Sequence, residues 1–245
     1  GMDSKADYAA SSLELYSKNG VLGITYNLTG KLSGNVMVDL PGEFSVHNSL
    51  AAVAVADLMG VPFDDIKEIL TRVKVRGRVE MIPISDAFTV MIDYAHNAMA
   101  LESLFTALKA YKPKRLVSLF GCGGNRSKDR RYEMGEVSGN MADLTIITSD
   151  NPRFEKPQDI IDDIKLGMAK TSGEYVEILD RKEAMRYAIL NGEPGDIIVF
   201  AGKGHEDYQE IEGVKYHMDE RDLIRQIVEE EDVTNICGYN NRYFA

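Results

Sequence analysis

Apolar and polar positions follow two different rhythms along this chain. Over the first 84 residues the alternation is short and weak. Ser12 to Leu22 and Ile24 to Leu40 carry apolar residues at near-alternate positions, interrupted by Asn19-Gly20, Gly30 and Gly34. That mixture predicts short β-strands joined by turns. Pro41-Gly42 reads as a further turn. Ser45 to Leu58 (SVHNSLAAVAVADL) is rich in Ala and Leu and predicts a buried helix with Ser45 as its N-cap. Pro62 to Val73 predicts a second helix, because Phe63, Ile66, Ile69 and Leu70 recur at helical spacing.

From residue 85 the rhythm changes to strand, helix, strand, helix. The apolar runs 88–92, 115–120, 144–148, 176–179 and 196–200 predict five strands. Between them, 98–111, 131–140, 157–170 and 181–190 predict helices; Ile160, Ile161, Ile164 and Met168 share one face of the third. Tyr208 to Met218 reads as a hairpin around Glu212-Gly213, and Asp219 to Glu230 as a last amphipathic helix capped by Asp219. Asn235 to Ala245 shows no pattern. The expected fold class is α/β, a doubly wound and mostly parallel sheet with helices on both faces. Two domains are expected, 1–84 and 85–245.

Composition is ordinary for a globular chain, with 44% hydrophobic and 27% charged residues. The net charge of −11 changes the picture more. A protein that grips phosphate backbones needs a basic surface, so no nucleic-acid partner is expected. The two cysteines, Cys122 and Cys237, form no CxxC or His/Cys cluster, so no metal site is expected. Isolated thiols fit a cytoplasmic location. No apolar run reaches the ~18–20 residues of a membrane span, so no membrane partner is expected. Gly1-Met2-Asp3-Ser4-Lys5 lacks the apolar stretch of a secretory signal. Glycine before methionine reads as a remnant of proteolytic cleavage, and the chain is expected to begin inside a longer protein.

Candidate chemistry sits where the strands end. In a doubly wound sheet, ligands bind beyond the carboxyl ends of the strands. Asp93-Tyr94-Ala95-His96 follows the first strand, and Gly121-Cys122-Gly123-Gly124-Asn125-Arg126 the second. Ser149-Asp150-Asn151-Pro152-Arg153 follows the third, and Ala201-Gly202-Lys203-Gly204-His205-Glu206 the fifth. Taken singly, each has a plain alternative: a tight turn, a helix cap, a solvated arginine, a structural histidine. Together they would converge on one rim. Guanidinium forks bind carboxylates bidentately, and Glu206 suits an ammonium. A ligand with both groups is an amino acid.

These stretches, together with Phe44 to Ala52 and Gly77-Arg78-Val79-Glu80, resemble the Mur ligase family, and its MurE branch in particular. The resemblance runs in family order over roughly residues 40 to 230 and implies a Rossmann-like C-terminal domain preceded by a partial central, ATP-binding domain. It further implies an enzyme that uses ATP and Mg2+ to join an amino acid to a UDP-MurNAc-peptide carboxylate. By resemblance, Arg126, Asp150, Asn151, Pro152, Arg153, Gly202 and Glu206 form the amino-acid site, and Asn48, Arg78, Asp93 and His96 face the nucleotide. Asp-Asn-Pro-Arg goes with meso-2,6-diaminopimelate as the diamino acid added to UDP-MurNAc-L-Ala-D-Glu. A lysine-adding branch, another Mur-type, folylpolyglutamate or cyanophycin ligase, and a non-catalytic amino-acid-binding module are the alternatives. Two departures stand out. Asn97-Ala98 replaces the Thr-Pro or Asn-Pro usual after the histidine. No GxxxxGK[ST] loop is present, nor any stretch around the family's carbamylated lysine, so the catalytic residues are not in this chain and it is expected to be inactive alone.

Overall fold

The computed structural model describes residues 1–18 and 20–240. Asn19, in an expected turn, and residues 241–245 of the tail lie outside them. The chain divides into two compact units, Gly1–Val75 and Arg76–Ala245. Residues 76–84, expected with the first domain, thus belong to the second. The reason is a short strand there that pairs into the second unit's sheet.

In the first unit, β1 (Tyr8–Lys18), β2 (Val21–Gly30) and β3 (Gly34–Val38) form an antiparallel sheet in sequence order. The second expected run is two strands, parted between Gly30 and Gly34. α1 (Glu43–Leu58) and α2 (Phe63–Leu70) pack on the sheet. Tyr26, Val36, Val46 and Val53 are wholly buried between them, each apolar side chain contributing roughly 1.5–3 kcal/mol. α1 begins two residues before the expected start. Gly42 holds the N-cap place with φ 88°, a left-handed value that suits glycine. Ser45 is inside the helix, donating its hydroxyl to the Pro41 carbonyl at 2.8 Å, so it is not the cap.

The second unit holds β4 (Glu80–Ile82), β5 (Thr89–Asp93), α3 (Ala98–Lys109), β6 (Leu116–Phe120), α4 (Asp129–Met141), β7 (Leu144–Ile147) and α5 (Pro157–Met168). β8 (Tyr175–Glu177), α6 (Arg181–Leu190), β9 (Ile197–Ala201), β10 (Tyr208–Ile211), β11 (Val214–His217) and α7 (Glu220–Glu230) follow. The main sheet runs β4-β5-β9-β6-β7-β8, parallel except for β4 at its edge. β5, β6 and β9 are buried at every residue, as expected of strands covered on both faces. Because β9 lies between β5 and β6, the chain must skip a place after β5, and the loops at the carboxyl ends part there. The expected α/β fold with a mostly parallel, doubly wound sheet is the one observed.

Local capping fixes where the helices start. Asn97, Asp180 and Asp219 each accept a backbone N–H through a side-chain oxygen at 2.9 Å, ahead of α3, α6 and α7. β10 and β11 form the expected hairpin; Glu212 and Gly213 have φ of 50° and 79°, as a tight two-residue turn requires. The tail is less patternless than its sequence. Ile236 is 2% exposed in the main core, and the Ser85 hydroxyl donates to the Cys237 carbonyl at 2.6 Å.

Candidate functional site

The loops after β5, β6, β7 and β9 enclose a cavity of about 130 Å3. Arg126, Asp150, Asn151, Arg153, Gly202 and Glu206 all line it. These residues come from three loops separated by up to 80 positions, and the sheet's parallel order brings them together. Pro152 is buried beside the cavity, not in its lining. Its carbonyl sits where a Cβ on Gly124 would lie, only 1.9 Å away, so the two loops touch backbone to backbone and only glycine fits.

The floor is built around a buried cation. Lys203 is 0% exposed. Its Nζ lies 3.0 Å from Asn151 Oδ1 and 3.2 Å from Glu206 Oε2, and it also donates to the Tyr208 carbonyl. Asn151 Nδ2 donates to the same Glu206 oxygen at 2.9 Å. Asp150, 8% exposed, is treated differently. Its Oδ1 is 3.5 Å from Lys203 Nζ and has no hydrogen-bond partner among the described residues. A buried carboxylate oxygen without a hydrogen bond costs roughly 1–3 kcal/mol or more, and the Lys203 ammonium at 3.5 Å offsets part of that.

The lining is also cationic. Arg126, Arg130 and Arg153 belong to it. Arg153 is held from both sides. Its backbone N–H donates to the Glu210 carbonyl at 3.0 Å, and its carbonyl accepts the Glu212 N–H at 2.7 Å. Its Nη1 donates to the Gly124 carbonyl at 2.8 Å and its Nε to Glu210 Oε2 at 3.1 Å. Its φ of 52° is the left-handed region, which turns the side chain back over the loop after β6. That loop is bolted by Arg131. Nη1 and Nη2 each donate to Glu155 at 2.8 Å, and Nη1 donates to Asp163 at 2.9 Å. Glu155 in turn accepts the Asn125 N–H. Cys122 lines the cavity, but burial pushes its thiol up to about 12. It is an apolar wall there, not a nucleophile.

Of the four residues expected to face a nucleotide, three lie at the end of β5 in the second unit and one in the first unit. Only His96 lines the cavity. Asn48 is exposed on α1 of the first unit. Arg78 is exposed with its guanidinium 4.9 Å from the centre of the Tyr94 ring, on which His96 and His205 also lean at 4.7 and 4.8 Å. Asp93 is buried, and its two oxygens accept the Val79 and Ala95 N–H groups at 2.8 Å. Burial raises its pKa against the pull of those donors. Its carboxylate organises backbone at the end of β5. No three His, Cys, Asp or Glu side chains are grouped to hold a metal among the described residues.

Sequence reasoning left out Lys203, Arg130 and Tyr94. Lys203 stood in a quoted loop, but nothing in the letters shows which of its charged side chains turns inward. Chemically, the cavity offers a negative floor and a three-guanidinium wall within one small volume. Zwitterions fit such a surface.

Residues 77–204 match the family described as "Mur ligase, glutamate ligase domain". The UDP-N-acetylmuramoyl-L-alanyl-D-glutamate–2,6-diaminopimelate ligase of Caldanaerobacter subterraneus subsp. tengcongensis is 43% identical over 216 residues, 88% of this chain and 45% of that protein. A solved structure of an enzyme of that name superposes with a TM-score of 0.70 at 34% identity, covering 92% of this chain and 46% of that one. The UDP-N-acetylmuramate–alanine ligase of Thermotoga maritima shares the fold, with a TM-score of 0.63 at 18% identity over 92% of this chain and 46% of that one. The chain spans about half the length of the curated relatives it matches.

Proposed function

This chain belongs to the Mur ligase family, and from that premise we propose that its second unit is the amino-acid-binding part of a peptidoglycan-precursor ligase of the MurE type. The whole enzyme would join meso-2,6-diaminopimelate to the D-glutamyl carboxylate of UDP-MurNAc-L-Ala-D-Glu in the cytoplasm. The supporting observation is the charge of the cavity. Arg126, Arg130 and Arg153 line the cavity with Asp150 and Glu206; Glu206 is paired with Lys203 and Arg153 with Glu210, which leaves Arg126 and Arg130 as guanidiniums with no ion pair among the described residues. That surplus suits a ligand with two carboxylates, whereas lysine carries one.

In this family ATP, with Mg2+, activates the acceptor carboxylate by phosphorylating it. The residues described in this chain offer neither a metal cluster nor a phosphate-cradling loop, so no step of that activation is assigned to them. Their part is to hold the incoming amino acid. Asp150 and Glu206 take the ammonium of one end, and the guanidinium wall takes carboxylates. Alignment of this kind lowers the entropic barrier to attack by the amine. Titration calorimetry of the 245-residue chain with meso-diaminopimelate and with L-lysine tests the reading. Diaminopimelate should bind at least about tenfold more tightly, because each lost charge-assisted pair is worth about 1.5–3 kcal/mol. Equal affinities, or binding of neither, would discard it.

A further inference from the structure

Lys203 has a place in this site that its sequence neighbours do not explain. Its ammonium is fully buried and would not touch a ligand in the cavity. It stands between Asp150, on the loop after β7, and Glu206, on the loop after β9, at 3.5 and 3.2 Å. Among the described residues it is the cation in ion-pair contact with either carboxylate. Resting on the amino-acid-site reading, we propose that Lys203 is a positioning residue that keeps Asp150 and Glu206 both ionised and both turned to the cavity, so that together they receive the ligand's ammonium.

The physical ground is the behaviour of close carboxylates out of water. Two that share a poorly solvated space do not both stay charged; the pair takes up a proton. A half-protonated pair makes one charge-assisted bond to an ammonium in place of two. An ammonium fixed between them removes that conflict. Asn151 completes the arrangement, accepting from Lys203 through Oδ1 and donating to Glu206 through Nδ2 at 2.9 Å. Other charged groups stand around the lysine. Buried Glu220 is paired with Arg181 at 2.7 Å through Oε1, while its Oε2 has no hydrogen bond among the described residues and burial raises its pKa. Lys215 lies over the Tyr208 ring at 3.9 Å, Arg153 is paired with Glu210 at 3.1 Å, and Arg126, Arg130 and His96 line the cavity.

A lysine that only ties loops together would behave differently from one that balances charge. In Lys203→Met, calorimetric affinity for meso-diaminopimelate should fall at least about tenfold at pH 6.5 and recover by a similar factor towards pH 8.5, as the pair loses its proton. Wild-type affinity should stay nearly level over that range. Adding Asp150→Asn to Lys203→Met should abolish the pH dependence, since the Asp150–Glu206 pair is then gone; a dependence that survives belongs to Glu220 and overturns the proposal. Undiminished affinity in Lys203→Met, or a loss equal at both pH values, overturns the proposal. A measurement without substitution guards against a variant that does not fold. Carboxyl carbon NMR of the ligand-free wild type should show Asp150 and Glu206 both ionised at pH 6.5, and a proton still shared between them there overturns it. If the wild type fails to bind the amino acid, the site reading falls, while the NMR titration still judges the lysine.

Discussion

Arg131 and Lys203 are both buried cations facing two carboxylates, yet their surroundings differ. Arg131, 1% exposed, is met by Glu155 through two bonds and by Asp163 through a third, all within 2.9 Å. Lys203 meets Glu206 closely but leaves an Asp150 oxygen without a hydrogen bond. The first cluster engages both Nη groups of its arginine, with only Nε left without a hydrogen bond among the described residues, and joins α4 and α5 to the loop after β6. The second is open toward a cavity. Engagement of the first kind serves stability, because breaking it strands buried charge. Openness leaves interaction free energy for a ligand to collect.

The largest effect expected from this contrast is on folding. Arg131→Met should lower unfolding free energy by about 3–5 kcal/mol, the usual cost of stranding a buried partner. Urea denaturation measures it, and a loss below ~1 kcal/mol would erase the distinction between the clusters. On the open side, Asp150→Asn should leave stability unchanged or slightly raised. It should weaken diaminopimelate binding about 10–100-fold, the worth of a charge-assisted bond. A marked loss of stability without loss of binding would reverse the assignment. Arg153→Ala should cost about tenfold in affinity for diaminopimelate while sparing lysine; an equal loss for both ligands would mean the guanidinium does not read the second carboxylate.

The smallest effect is on acid stability. The hydrogen bond from Arg131 holds the Glu155 carboxyl below its ordinary range. A carboxyl lowered in the folded state contributes stability that is present above its unfolded value and lost as pH falls through the folded one. Glu155→Gln should therefore flatten the acid limb of stability against pH, by about 1 kcal/mol or less because the group is partly exposed. An acid limb identical to wild type would show that this bond does not register.

Much of the fold could be read from the chain because continuous apolar runs ending in glycine or charge are the mark of strands covered on both faces. β5, β6, β7 and β9 were found for that reason. β4 was not, since Glu80-Met81-Ile82 is three residues long and half-buried at an edge. Ser45 looked like a cap because serine favours that place, but Pro41-Gly42 starts the helix earlier. At the site, residues at strand ends were legible because the topology must bring them to one rim. That Asp93 would also accept two backbone N–H groups was not legible, because those donors come from the folded backbone. Lys203 shows the limit most clearly: a charged letter in a loop does not state whether its side chain points to water or to the core.

Arg153 is clasped through main-chain atoms of Glu210 and Glu212, residues that begin the turn of the β10–β11 hairpin. Peptide groups are the same whatever side chain they carry, so beyond Glu210, whose carboxylate also pairs with the arginine, this clasp places few demands on the hairpin's composition. Val214, Lys215, Tyr216 and His217 are exposed, which leaves that strand open to drift or to deliberate randomisation. Evolution, or a mutant library, can therefore explore the outer strand while the arginine keeps its bearing.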